Sequence, residues 1–170
     1  FYEQPALDGS RPGFYYVNPS RQHDLPKYRL AALAYHEALP GHHMQIALAR
    51  ENQNLAGFRR LMSFTAYSEG WGLYAEKLAD EMGGYTSNEE RYGQLIKELW
   101  RAVRLVLDTG LHSKGWSQEK ALAYRLANTP FSEQDSIHAI ERYLVMPGQA
   151  TSYKIGALEI ERLRHKAKKS

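Results

Sequence analysis

Residues 35–45 read Tyr35-His36-Glu37-Ala38-Leu39-Pro40-Gly41-His42-His43-Met44-Gln45, three imidazoles and a carboxylate within eight positions of a chain that has seven histidines in all. Imidazole is a ligand for divalent transition metals, and a glutamate beside a ligating histidine is the group that activates water in zinc peptidases. The familiar form of that arrangement, His-Glu-x-x-His, sets two histidines one helical turn apart. Here the fourth residue after His36 is Pro40, and the next histidine, His42, is six positions on. On an unbroken helix that spacing means about 9 Å of rise and about 120° of misalignment, too far for two ligands that must each lie ~2.0–2.1 Å from one ion. The helix is therefore expected to break between them. Pro40 clashes with the carbonyl four residues back and Gly41 permits backbone angles that other residues avoid, so the pair is suited to turning His42 back toward His36. His43 is the alternative ligand, and its spacing of seven does not decide between the two.

A third ligand is expected from Tyr67-Ser68-Glu69-Gly70-Trp71-Gly72-Leu73-Tyr74-Ala75-Glu76, about thirty residues downstream. Glu69 and Glu76 are seven apart, nearly on one helix face, and Gly70 and Gly72 would let that helix approach closely. Glu69, between Tyr67 and Trp71, is the better ligand; Glu76, followed by Lys77, reads as a solvated helix charge. Two histidines and one glutamate leave the open coordination position that a catalytic zinc requires.

Two further stretches carry polar groups suited to the same chemistry. Arg104, Asp108 and His112 recur at four-residue intervals opposite an apolar stripe of Leu95, Leu99, Ala102 and Val106. The row faces either a polar site or solvent, the latter as an Arg104–Asp108 ion pair. In the first case His112 would stabilise a tetrahedral intermediate or hold a substrate end, with Asp108 orienting it. Tyr143 through Gly156 form a Pro-Gly turn entering a helix, where Tyr153 and Lys154 are donors able to meet an oxyanion or a carboxylate.

His-Glu-x-x-Pro-Gly-His-His, Ser-Glu-Gly-Trp, Asp-Thr-Gly-x-His and Pro-Gly-Gln-Ala-x-Ser-Tyr-Lys, in that order, resemble the bacterial family called domain of unknown function 885. Asp8-Gly9-Ser10-Arg11-Pro12-Gly13 and Asn18 are similar to it too. The resemblance covers nearly the whole chain and implies a metallopeptidase-like, zinc-dependent protein. It implies His36, His42 and Glu69 as Zn2+ ligands, Glu37 as general base, and a place for Tyr153 in the site. Because family members are longer, it also implies that this stretch is their C-terminal catalytic part. The expected activity is hydrolysis of peptide bonds by Glu37-assisted attack of water, with Tyr153 or His112 at the oxyanion. The alternatives are a non-catalytic metal-containing binding module, with His43 as a fourth ligand, and a hydrolase of non-peptide amides or esters. A di-iron carboxylate bundle would need Glu-x-x-His pairs on two helices, and the sequence has none.

The elements that must position these groups are mostly helices. A chain of 170 residues with 43% apolar residues suffices for one core, so residues 1–170 are expected to form a single mostly α, multi-helix domain of zinc-peptidase-like type. Residues 1–23, rich in Gly, Pro, Asn and Ser, suggest turns around one short extended piece at 14–17. Asp24 and Pro26 mark a helix start running to His36, and further helices are expected near 43–50, 57–82, 88–112, 117–127, 132–143 and 150–167, with Ser132 and Asp135 as a capping pair. His23, His138 and His165 fall outside every motif.

The formal charge of +3 is a tail property: Arg162, Arg164, Lys166, Lys168 and Lys169 against Glu161 contribute +4, which leaves the rest of the chain near −1. That argues against nucleic acid, whose phosphates need a basic patch spread over the fold. Cysteine is absent, which removes disulfides and thiolate ligands together. No apolar run approaches the ~20 residues of a membrane span. Starting at Phe1 and ending inside a charged helical pattern, the chain reads as a segment of a longer protein. Its compartment is open, and a periplasmic or lipid-anchored parent is compatible with it.

Overall fold

The computed structural model describes residues 1–6, 8–17 and 26–170. The expected helix start at Asp24 and the motif residue Asn18 lie outside them. Helices dominate, as the periodicity predicts. Their order is α1 (Leu30–Glu37, entered through a 3-10 turn at Lys27–Arg29), α2 (His42–Glu51), α3 (Gly57–Leu61), α4 (Thr65–Glu81), α5 (Asn88–Ser113), α6 (Gln118–Asn128), α7 (Glu133–Val145) and α8 (Gln149–Ala167). Before them, β1 (Tyr2–Glu3) and β2 (Phe14–Tyr15) pair antiparallel with Tyr2 opposite Tyr15. The extended piece at 14–17 is thus one half of a two-stranded ribbon whose other half, too short to show an alternation, the sequence does not announce.

Side-chain caps set several helix starts. Ser87, Ser117 and Ser132 accept hydrogen bonds from the backbone N–H of Glu90, Lys120 and Asp135, using hydroxyls to satisfy first-turn amides. The single helix expected over 57–82 is two. Met62 and Phe64 are extended, with ψ of 137° and 119°. Phe58, Leu61, Met62 and Phe64 are all more than half exposed, so the apolar spacing that suggested one continuous helix is not matched by any buried face there.

Two helices carry the architecture. α4 and α8 make the most extensive contact, around Leu73, Tyr74, Tyr153 and Ala157. A second core joins α5, α6, α7 and α8 through Val103, Leu107, Ala121, Ile140, Tyr143 and Ala150. The α4–α8 approach is backbone on backbone. A Cβ at Gly156 would collide with the carbonyl oxygen of Ala66, and one at Gly70 with the backbone of Gly156. Gly156→Ala is therefore expected to destabilise the protein by about 1–3 kcal/mol, the usual cost of overpacking, in urea unfolding; wild-type stability would mean that α4 and α8 pack otherwise.

α5 departs from its expected orientation. Leu95 and Leu99 of the apolar stripe are exposed, and the buried side carries Gln94, Lys97, Arg101, Arg104 and Asp108 alongside Ile96, Val103 and Leu107. Polar groups are tolerated there because each meets a partner or a cleft, as the site itself explains.

Candidate metal centre

The break between His36 and His42 forms as helix geometry requires. α1 stops at Glu37, the Leu39–Pro40 peptide is cis, and α2 starts at His42 with Gly41 before it. Gly41 is required by packing, because a Cβ there would overlap the carbonyl oxygens of Tyr35 and His36. Trp71 on α4 holds the turn by donating its indole N–H to the Pro40 carbonyl at 2.8 Å. The turn brings the two imidazoles edge to face, ring centroids 4.7 Å apart.

α4 supplies the carboxylate. Glu69 Oε2 lies 3.5 Å from His36 Nε2 and 3.4 Å from His42 Nε2. The ligand atoms of all three residues fall within 4.8 Å of one another. α4 comes this close because of Gly72, where a Cβ would stand 2.6 Å from His36 Cε1. Burial alone would raise the Glu69 carboxyl. Hydrogen bonds and charge from His36 and His42 outweigh it and hold the group well below the usual carboxylate range. His43 turns the other way, with Nδ1 2.9 Å from the Tyr2 hydroxyl. Of the two alternatives left by the spacing, geometry brings His42 into the cluster.

These residues open onto a cleft of about 620 Å³ also lined by Glu37, Lys97, Arg101, Arg104 and Tyr153. The Glu37 side chain is partly exposed to it. Tyr153 is buried with its ring stacked on His36, centroids 6.1 Å apart. Burial, then the Glu69 carboxylate, push its hydroxyl above the ordinary phenol value while Arg104 and Arg101 pull it back. It remains a neutral donor at physiological pH.

His112 is not brought to this site. Its Nε2 lies 2.9 Å from the Tyr143 carbonyl and 3.5 Å from Asp108, near the end of α5, and it does not line the cleft. Asp108 serves elsewhere: its carboxylate accepts from the backbone N–H of Gly148 and Thr151 at 3.1 Å each, capping α8. Gly148, at φ 81°, makes the left-handed turn that starts α8. Lys154 is held by Glu98 at 2.7 Å, away from the oxyanion role considered for it.

Two residues that the sequence reading set aside or passed over are central. Glu76, read as a solvated charge, is fully buried, with Oε1 2.8 Å from His36 Nδ1, 3.2 Å from Lys97 Nζ and 3.7 Å from Arg101. Burial works against its charge, and Lys97, Arg101 and His36 overcome that, lowering its carboxyl to about 2. Lys97 is itself pushed down by burial to about 8, with Glu76 opposing the shift. The spacing of seven between Glu69 and Glu76, which sets both on one face of α4, is the signal for Glu76 in the sequence. Gln149 was missed; its amide nitrogen lies 3.3 Å from Glu69 Oε1 and 3.1 Å from the Tyr153 hydroxyl, while its oxygen accepts from Arg104 at 3.1 Å. The Pro-Gly-Gln-Ala motif that contains it was its only mark.

With the cluster in place, comparison with known proteins gives one family. Residues 1–170 match the family described as bacterial protein of unknown function (DUF885). The chain belongs to the DUF885 family. A "putative lipoprotein" from Colwellia psychrerythraea has a crystal structure similar to it at a TM-score of 0.95 and 48% identity, covering 98% of this chain and 29% of that one. A "putative lipoprotein of unknown function" from Shewanella oneidensis matches at a TM-score of 0.81 and 25% identity, covering 94% of this chain and 31% of that one. This DUF885 chain thus spans under a third of the length of the solved chains it resembles. No curated protein matches it.

Proposed function

We propose that this DUF885 domain is the catalytic part of a zinc-dependent hydrolase that cleaves peptide bonds. The observation that carries the reading is the approach of one Glu69 oxygen to both imidazole nitrogens, in a cluster whose ligand atoms all lie within 4.8 Å of one another. Two ligands at ~2.0–2.1 Å from a tetrahedral ion stand about 3.3–3.4 Å apart, and Glu69 Oε2 lies 3.4 and 3.5 Å from the two imidazole nitrogens. The donor set, two nitrogens and one oxygen, suits zinc and leaves a position for substrate.

Zinc held by His36, His42 and Glu69 would supply Lewis acidity toward a carbonyl and make water a better acid. Glu37 takes the proton of the attacking water and delivers it to the leaving nitrogen. Tyr153 donates its hydroxyl hydrogen to the developing oxyanion, and the Gln149 amide, bonded to Tyr153 and Glu69, fixes their relative position. Glu76 accepts the Nδ1 proton of His36, which leaves the Nε2 lone pair free for the ion. The engagement of His43 by Tyr2 supports three protein ligands over the closed four-ligand site of a structural metal.

No helix among the described residues is long and apolar enough to cross a membrane. The description of both structural neighbours as lipoproteins supports a parent chain tethered by lipid.

Elemental analysis tests the centre. One zinc per chain is expected in the purified protein, falling to a small fraction in His36→Ala and in Glu69→Ala. A folded wild type that takes up no zinc would remove the hydrolase reading.

A further inference from the structure

The cationic wall of the cleft is uneven in how its charges are met. Lys97 and Arg101 stand over the buried Glu76 carboxylate. Arg125 is paired with Asp135. Arg104 is different: it is 3% exposed, it lines the same cleft as the His36, His42 and Glu69 cluster, and no carboxylate lies within ion-pair distance of it among the described residues. One Nη donates to the neutral Gln149 oxygen at 3.1 Å, and Nε has no hydrogen-bond partner. The guanidinium lies 4.2 Å from the Tyr153 ring centroid and 5.2 Å from those of Trp100 and Tyr143. Aromatic faces offset part of the cost of burying a cation, but they leave its planar donor edge unfilled. A guanidinium edge is the protein group best matched to a carboxylate, through two parallel hydrogen bonds.

We propose that Arg104 is the binding site for the C-terminal carboxylate of a peptide substrate, which would make the enzyme one that removes residues from the C-terminal end. The inference rests on the peptidase reading for its substrate class and on the unmet Arg104 charge for its specificity. The placement suits it. Gln149 joins Arg104 to Glu69 through two hydrogen bonds of 3.1 and 3.3 Å, and extended chain advances ~3.3–3.6 Å per residue. A carboxylate on Arg104 would therefore stand within a few residues of a bond held at the cluster. The wall selects for charge, and the aromatic rings around Arg104 exclude the water that would otherwise solvate it.

The test is calorimetric binding to the metal-free full-length protein, which separates recognition from turnover. Three probes are compared: an N-acetyl dipeptide with a free carboxylate, its C-terminal amide, and an amidated N-acetyl dipeptide whose only carboxylate is a glutamate side chain. The free acid is expected to bind about 10- to 100-fold more tightly than its amide, the usual worth of a charged hydrogen-bonded pair. Arg104→Gln should abolish that preference, and Arg104→Lys should retain only part of it, since the charge stays and the fork is lost. If Arg104→Gln fails to fold, the graded loss in Arg104→Lys carries the test. Equal binding of acid and amide by wild type would overturn the proposal, as would a preference that survives in folded Arg104→Gln. Preferential binding of the glutamate side-chain probe would overturn the C-terminal assignment. Zinc uptake, measured in parallel by titrating zinc into the same metal-free proteins, keeps the two readings apart. Zinc uptake without carboxylate preference removes the subsite alone, and carboxylate preference without zinc uptake removes the peptidase reading while leaving an anion site at Arg104.

Discussion

Glu37→Gln is expected to keep the full complement of zinc and to lower peptide hydrolysis by about 10²- to 10⁴-fold, the usual contribution of a positioned general base. The substitution preserves volume and replaces a carboxylate that can accept and return a proton by a neutral amide that cannot. Glu37 is not among the residues whose ligand atoms converge, so metal content should be indifferent to it. The pair of readouts matters because other changes in this cleft move both. His36→Ala removes an imidazole whose Nε2 faces Glu69 and whose Nδ1 anchors Glu76, and it should lose metal and activity together. If Glu37→Gln retained wild-type turnover at full zinc occupancy, the proton would have to travel by another group, and the Glu-assisted mechanism would fail.

The residues that converge were legible wherever chemistry and backbone geometry constrained the same few positions. His36 and His42 could share an ion only if the helix broke between them, and Pro40-Gly41 sits where that break had to be. Glu69 followed from its surroundings, since Gly70 and Gly72 signalled a helix pressed against something. What the sequence hid is the polar interior of α5. A periodic apolar stripe argues for a buried face, and Leu95, Leu99 and their neighbours supply one, yet it is the face with Lys97, Arg101 and Arg104 that lies inside. The reason is long-range. These cations are buried because a carboxylate on α4 and a cleft await them, and no local pattern on α5 records that. His112 misled for the converse reason, since four-residue spacing places it in a row with Arg104 and Asp108 although that row ends in three unrelated tasks: a cleft wall, a helix cap and a contact with the Tyr143 carbonyl.

Glu76 is where the fold and the site share one atom, and its removal should show it. Oε1 of Glu76 faces His36 Nδ1, Lys97 Nζ and Arg101 at once, with no solvent exposure. Glu76→Gln leaves two cations buried without their counter-charge, and breaking a buried pair from one side costs about 3–5 kcal/mol. The same change replaces the charged acceptor that orients a ligating imidazole by a weaker neutral amide oxygen, and changes to such partners lower metal affinity by about 10- to 100-fold in comparable zinc sites. The two effects are separable. Adding Lys97→Met to Glu76→Gln removes one of the stranded cations and should recover much of the stability in chemical denaturation. It restores no carboxylate to His36, so zinc affinity should stay low in the double variant. Recovery of both properties would mean that Glu76 acts on the metal only by holding the fold. Wild-type stability and wild-type zinc affinity in Glu76→Gln alone would show that neither depends on this carboxylate. The expected divergence follows from the geometry: His36 and Lys97 approach one oxygen from different helices, α1 and α5, and only the first leads on to Glu69 and His42.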